Sequence, residues 1–247
     1  MEKKDLFSGH SKVYAAFRPT YPEALYTFLL SHVTGRSRAW DCATGNGQVA
    51  QRLARDFEIV HATDISAQQL QQAVALPNIQ YELQPAEATT FPDAYFDLIT
   101  VGQALHWFNF EAFFREVKRV AKPGALFTAW GYGHIFIDPA IDPHIRHFYE
   151  NVVGPYWDER RRLVEDGYSN LSFPFETLSH PDFAIEANWK RQQLEGYLES
   201  WSATQGFIRA RQFNPVQELS RNIKDLWPDD KIIRVVFPIF LKAGHLR

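Results

Sequence analysis

The chain has 247 residues, 45% of them apolar, and 29 acidic against 26 basic side chains for a net charge of −3. That supplies one large core, or one core with a substantial cap, and excludes the basic surface that a nucleic acid or an anionic membrane would need. A single cysteine, Cys42, excludes an internal disulfide and fits a reducing compartment, the charged start Met1-Glu2-Lys3-Lys4-Asp5 lacks the apolar segment of a signal peptide, and no apolar run reaches membrane-spanning length.

In chain order, Pro19 and Pro22 restrict the backbone around Tyr21, so a short helix is expected to end near Phe17 and another to start near Pro22. Between Trp40 and Trp130 strand and helix patterns alternate: strands over 39–43, 59–63, 79–83, 98–101 and 126–130, helices over 47–56, 67–76 and 110–121. The last helix carries Phe113, Phe114, Val117 and Val120 on one face. This alternation predicts βαβ units and an α/β fold around a parallel sheet. From 131 to 181 it stops, and Phe148, Tyr149, Tyr156, Trp157 and Tyr168 mark an aromatic cap over the sheet edge. A strand over 183–192, helices over 194–203 and 215–226 and a β-rich run over 232–241 follow, with Pro238 arguing for an edge or a bulge in that run. Neither repeats nor a linker divide the chain, so one domain is expected.

The stretch from Trp40 to Ala50 organises the rest. A strand ends in Asp41, Gly45 and Gly47 follow at alternate positions, and a helix pattern begins. Glycines there tolerate positive φ and let a ligand approach bare backbone at a helix N-terminus. Gly45-x-Gly47-x-x-Ala50 with Asp64 further on also fits a dinucleotide fingerprint. Asp41 discriminates, because a carboxylate beside the turn opposes a diphosphate and favours a cationic ligand. That points away from NAD and towards the sulfonium nucleoside S-adenosylmethionine.

Asp41-x-Ala43-x-Gly45-x-Gly47 resembles the first motif of class I S-adenosylmethionine-dependent methyltransferases, and Asp64-Ile65-Ser66 the second. Pro85-Ala86-Glu87-Ala88, with Phe91-Pro92-Asp93 and Phe96-Asp97-Leu98-Ile99, is similar to the third and fourth, and Lys122-Pro123-Gly124 to the turn before the fifth strand. Ala43 departs from the pattern, which usually has glycine there. The resemblance implies a Rossmann-like, doubly wound, mostly parallel seven-stranded sheet with helices on both faces and an antiparallel last strand. It also divides the chain into a lid over 1–34, a cofactor core over 35–130, a substrate cap over 131–182 and strands and helices completing the sheet over 183–247. The segment Ser11-x-x-Tyr14-x-x-x-Arg18-Pro19-x-Tyr21-Pro22 resembles that of methyltransferases related to trans-aconitate methyltransferase.

On that resemblance Arg18 pairs with the cofactor's carboxylate and Tyr14 shields the sulfonium, the alternative being an amphipathic helix that packs its aromatics against the domain. Asp41, Ala43, Gly45, Asn46 and Gly47 form the cofactor turn. Asp64 binds the ribose hydroxyls, the alternative being a cap for the next helix, a role that Ser66 suits better. Ile65 and Gln69 flank the adenine, Ala86 and Glu87 meet its edge, and Gln103 contacts the methionine end; a buried packing role for Ile65, a solvated role for Gln69 and a surface role for Glu87 remain open. The apolar loop from Gly102 to Phe108 places His106 beside the transferred methyl group, as proton acceptor or as a structural histidine. Trp107, Trp130 and Tyr132 are expected to line the acceptor side. The run Arg160-Arg161-Arg162 is read first as a solvated face, with an anion clamp for a carboxylate substrate as the alternative.

The expected activity is methyl transfer to a small molecule in the cytoplasm, with a carboxylate or hydroxyl acceptor and without metal, nucleic acid or membrane. An NAD-dependent oxidoreductase and a non-catalytic S-adenosylmethionine-binding protein are the alternatives.

Overall fold

The computed structural model describes residues 19–246. Tyr14 and Arg18 lie outside the described residues. Eight strands form one sheet: β1 (Arg38–Cys42), β2 (Ile59–Asp64), β3 (Ile79–Leu83), β4 (Phe96–Gly102), β5 (Ala121–Tyr132), β6 (Glu176–Thr177), β7 (Phe183–Trp189) and β8 (Ile233–His245). Their order is β3-β2-β1-β4-β5-β8-β6, with β7 also pairing β8. The first five are parallel, and β8 runs antiparallel to β5, β6 and β7. The expected seven strands are therefore joined by an eighth, the two-residue β6. It pairs at Glu176 with His245, beyond the end of β7, so both share one side of the long β8.

The helices are α1 (Glu23–Ser31), α2 (Gln48–Leu53), α3 (Ala67–Leu70), α4 (Phe110–Val120), α5 (Asp142–His147), α6 (Arg161–Glu165), α7 (Arg191–Glu199), α8 (Ser202–Arg211) and α9 (Val216–Ile223). The helix expected over 67–76 stops at Leu70, and the one expected over 194–203 is divided between α7 and α8 at Ser200 and Trp201. Strand β5 starts at Ala121, well before the expected 126, because Phe96 of β4 pairs with Ala121 across an irregular register.

Alternation along the strands builds a core on each side of the sheet. Ala39, Leu98 and Leu126 face one layer with α1, α2 and much of the cap; their neighbours Trp40, Ile99 and Phe127 face the other with Phe113 and Val117 of α4. Asn109 starts α4 by accepting the Ala112 N–H through its side chain at 3.1 Å. Parallel pairing brings the carboxyl ends of β1, β2, β4 and β5 to one edge, where open sheets bind ligands. Among the described residues no helix is long and apolar enough to cross a membrane.

Candidate active site

At the end of β1 the chain turns into α2 with Ala43, Gly45 and Gly47 all at positive φ, 55°, 59° and 83°. A Cβ on Gly47 would run into the Tyr81 ring, so glycine is required there by contact as well as by conformation. Ala43 adopts the left-handed region although it has a Cβ, which is why glycine is the usual residue at this position. Asn46 sits half-buried between the two glycines.

Asp41 lies beneath this turn, 1% exposed. Its carboxylate accepts from Thr44 Oγ1 at 2.5 Å, Thr100 Oγ1 at 2.9 Å and the Ala50 N–H at 3.1 Å. It thus fixes the first turn of α2 from below instead of facing outward. Burial pushes its pKa up to about 6, against the lowering effect of those three hydrogen bonds.

Asp64 ends β2 and accepts from the Gly45 N–H at 2.9 Å and the Ser66 N–H at 2.8 Å. Ser66 is the N-cap of α3, its Oγ accepting from the Gln69 N–H, so Asp64 is free of the capping role. Gln69 is buried facing the turn, with its Oε1 the nearest atom to a Cβ built on Gly45. Ile65 is 49% exposed at the end of β2 and Leu83 61% exposed at the end of β3. The Ala86 methyl is in the core, and Glu87 accepts the Asn109 N–H at 3.1 Å.

The donor set fits S-adenosylmethionine. Asp41, Asp64 and Glu87 all lie close enough to the buried Cys42 thiol to add to the upward push that burial gives its pKa. Asp64, bonded to the turn, and Asp41, buried beneath it, put negative charge at the glycine turn, which repels a diphosphate and suits a sulfonium nucleoside. The half-exposed apolar surface of Ile65 and Leu83 suits the adenine.

Beside this edge opens a cleft whose lining includes Gln103, His106, Trp107, Tyr132, Trp157 and Arg161. Tyr197, Trp201 and Ser202 line it too, so α7 and α8 contribute to it as well as the cap. Gln103, at φ 56°, is pinned to the end of β5 by its N–H to Trp130 O at 2.8 Å and its Nε2 to Tyr132 O at 2.9 Å. Trp130 does not line the cleft, contrary to expectation. It is fully buried behind Tyr21, whose ring meets it edge-on at 5.4 Å, while Tyr132, one step further along the same face of β5, reaches the cleft.

His106 is 5% exposed, with Nδ1 3.1 Å from Tyr168 Oη. Burial first, then the charges of Arg161 and Arg160, lowers its pKa to about 3, so the ring is neutral at neutral pH. The arginine run divides its work. Arg160 pairs with Asp158 at 2.9 Å and stacks over Trp107, whereas Arg161 points into the cleft over Trp157, its Nε donating to Tyr149 Oη at 3.0 Å. Sequence reasoning favoured a solvated face for the whole run. It also missed Tyr197 and Trp201, which no motif marks.

A model of the methyltransferase domain matches residues 40–129. A Dictyostelium discoideum protein described as a methyltransferase is 33% identical over 96% of this chain and 93% of its own length. A solved structure described as a type II methyltransferase from Anaeromyxobacter dehalogenans is 38% identical, with a TM-score of 0.86 over 93% of this chain and 98% of that one. YcgJ from Bacillus subtilis shares the fold at 16% identity, with a TM-score of 0.54 over 91% of this chain and 98% of its own. Near full-length similarity, a matching family model and an acid-lined glycine turn at the sheet's switch point together make the chain a member of the class I S-adenosylmethionine-dependent methyltransferases.

Proposed function

We propose that this enzyme methylates a carboxylate of a small molecule held in the aromatic cleft, consistent with the kinship to trans-aconitate methyltransferase read from its N-terminal segment, and that it works in the cytoplasm without nucleic acid or membrane. The observation that carries the reading is Arg161. Among the described residues no carboxylate pairs with it, although it lies in a cleft walled by aromatic rings. Among the described residues the one acid lining that cleft, Asp158, is paired with Arg160. With Nε committed to Tyr149, the two terminal nitrogens of Arg161 are left to fork onto a carboxylate.

Bound S-adenosylmethionine supplies an electrophilic methyl group whose departure returns an electron pair to sulfur. The protein's task is then to align the acceptor oxygen and exclude water. Arg161 anchors the acceptor, Trp157, Tyr197 and Trp201 shield it, and Gln103 closes the floor toward the glycine turn. An ionised carboxylate needs no base at neutral pH. A hydroxyl acceptor would need one, and a histidine whose pKa is lowered to about 3 is a poor base.

The test is a labelled-methyl assay of the purified chain with carboxylic acids, phenols and thiols, repeated with Arg161→Gln. Acids should be methylated, and the variant should lose about 10–100-fold in kcat/KM, the equivalent of one charge-assisted hydrogen bond. Methylation of phenols with acids untouched would overturn the carboxylate reading.

A further inference from the structure

His106 and Tyr168 come from segments far apart in sequence, one in the loop after β4 and the other just beyond α6, yet meet at 3.1 Å beside the cleft. Both are sealed. Tyr168 is fully buried with its ring edge-on to Phe240 at 4.9 Å, and among the described residues its phenol makes no other side-chain hydrogen bond. A phenol in such a place needs an acceptor for its proton, since an orphaned buried O–H costs about 1–3 kcal/mol.

The acceptor is fixed by elimination. Among the described residues Nδ1 of His106 is the atom placed to receive the phenol proton. Were Nδ1 itself protonated, its N–H and the phenol O–H would be two donors facing each other, and the phenol hydrogen would have no acceptor. The groups facing the ring are Tyr168, Arg160, Arg161 and Asp158, and they together with burial hold it neutral, so only a choice between two tautomers remains.

We infer that Tyr168 locks His106 in the tautomer with hydrogen on Nε2, making His106 a hydrogen-bond donor to the acceptor's oxygen rather than a base. Tyr168 is a positioning residue, acting through His106. Nε2 is the ring nitrogen on the far side from Tyr168, and His106 lines the cleft together with Arg161, so on this inference an Nε2–H and Arg161 form one anion-recognising pair. The role in recognition rests on the carboxylate reading above; the tautomer does not.

The experiment is therefore built in two arms. Nitrogen-15 NMR of the full-length, histidine-labelled protein at pH 7, with the His106 signals identified by their loss in His106→Gln, should show hydrogen on Nε2 and a bare Nδ1. Hydrogen on Nδ1, or on both nitrogens, overturns the inference whatever the substrate proves to be. Tyr168→Phe, which keeps the ring and its packing, should mix the tautomers; an unchanged spectrum overturns the lock. In the kinetic arm, on the acid that the methylation screen identifies, His106→Gln retains a side-chain N–H donor and should keep at least tenfold more kcat/KM than His106→Glu, which supplies a base. The reverse order overturns the donor role. If no acid is methylated, the carboxylate reading fails while the NMR arm still decides the tautomer.

Discussion

The Gly45 N–H donates to the Asp64 carboxylate at 2.9 Å, which ties the glycine turn after β1 to the end of β2. Asp64 also accepts the Ser66 N–H at 2.8 Å, so one side chain shapes both the glycine turn and the start of α3. On the family resemblance it takes the ribose hydroxyls as well. Asp64→Ala should weaken S-adenosylhomocysteine binding by about 1–3 kcal/mol and also lower stability by about 1 kcal/mol, through the lost Gly45 bond. Calorimetry and denaturant titration measure the two separately. Full affinity in the variant would remove Asp64 from the cofactor site.

Ala43 and Gly47 make opposite predictions from the same backbone region. Ala43 holds φ 55° against its own Cβ, so Ala43→Gly should raise stability by about 1 kcal/mol. Gly47 holds φ 83° with the Tyr81 ring against it, so Gly47→Ala should lower stability by about 2 kcal/mol or more and impair cofactor binding. Urea midpoints of the two variants decide it. A destabilised Ala43→Gly would mean that the methyl group gains more from packing than the left-handed backbone costs.

Arg161 is stacked as well as charged, which separates two ways of replacing it. Arg161→Lys keeps the charge but loses the fork and the flat face over Trp157, 4.9 Å away. It should recover only part of the kcat/KM lost in Arg161→Gln, with the deficit appearing in KM for the acid and none in cofactor affinity. Recovery to the wild-type value would reduce the role of Arg161 to a point charge.

Local chemistry was readable from the sequence. The glycine turn, the preference for Ser66 over Asp64 as a cap, and the α4 face of Phe113, Phe114, Val117 and Val120 each follow from residues within one turn or one strand of each other. The cleft was only partly readable, because its walls come from the β4 loop, α6, and the junction of α7 and α8, which no periodic pattern connects. Arg161 was hidden inside a run of three arginines whose neighbours do face solvent. Trp130 was misplaced because the strand expected to end there runs on to Tyr132, so Tyr132 reaches the cleft while Trp130 stays covered by Tyr21. Asp41 was recognised as the charge beside the turn, but its burial, and so its hydrogen bonds to Thr44 and Thr100, depends on β4 covering it.

Two buried groups with pKa values moved toward each other's ordinary range should leave opposite marks on acid stability. His106 titrates near 3 in the fold and near 6.5 when unfolded. Below 6.5 the unfolded chain takes up a proton that the fold refuses, so this histidine's contribution is present above 6.5 and lost as pH falls toward 3. Asp41 titrates near 6 in the fold and near 3.8 when unfolded. Between those values the fold takes up the proton first, so its contribution is present below 3.8 and lost as pH rises through 6. Each difference approaches about 1.4 kcal/mol per pH unit inside its window. Measured as the stability difference from wild type between pH 7.5 and pH 4.5, His106→Gln should gain on the wild type as the solution is acidified, and Asp41→Asn should fall further behind it. Because all other titrating groups cancel in the difference, parallel curves for either variant would show that its side chain keeps an ordinary pKa in the fold.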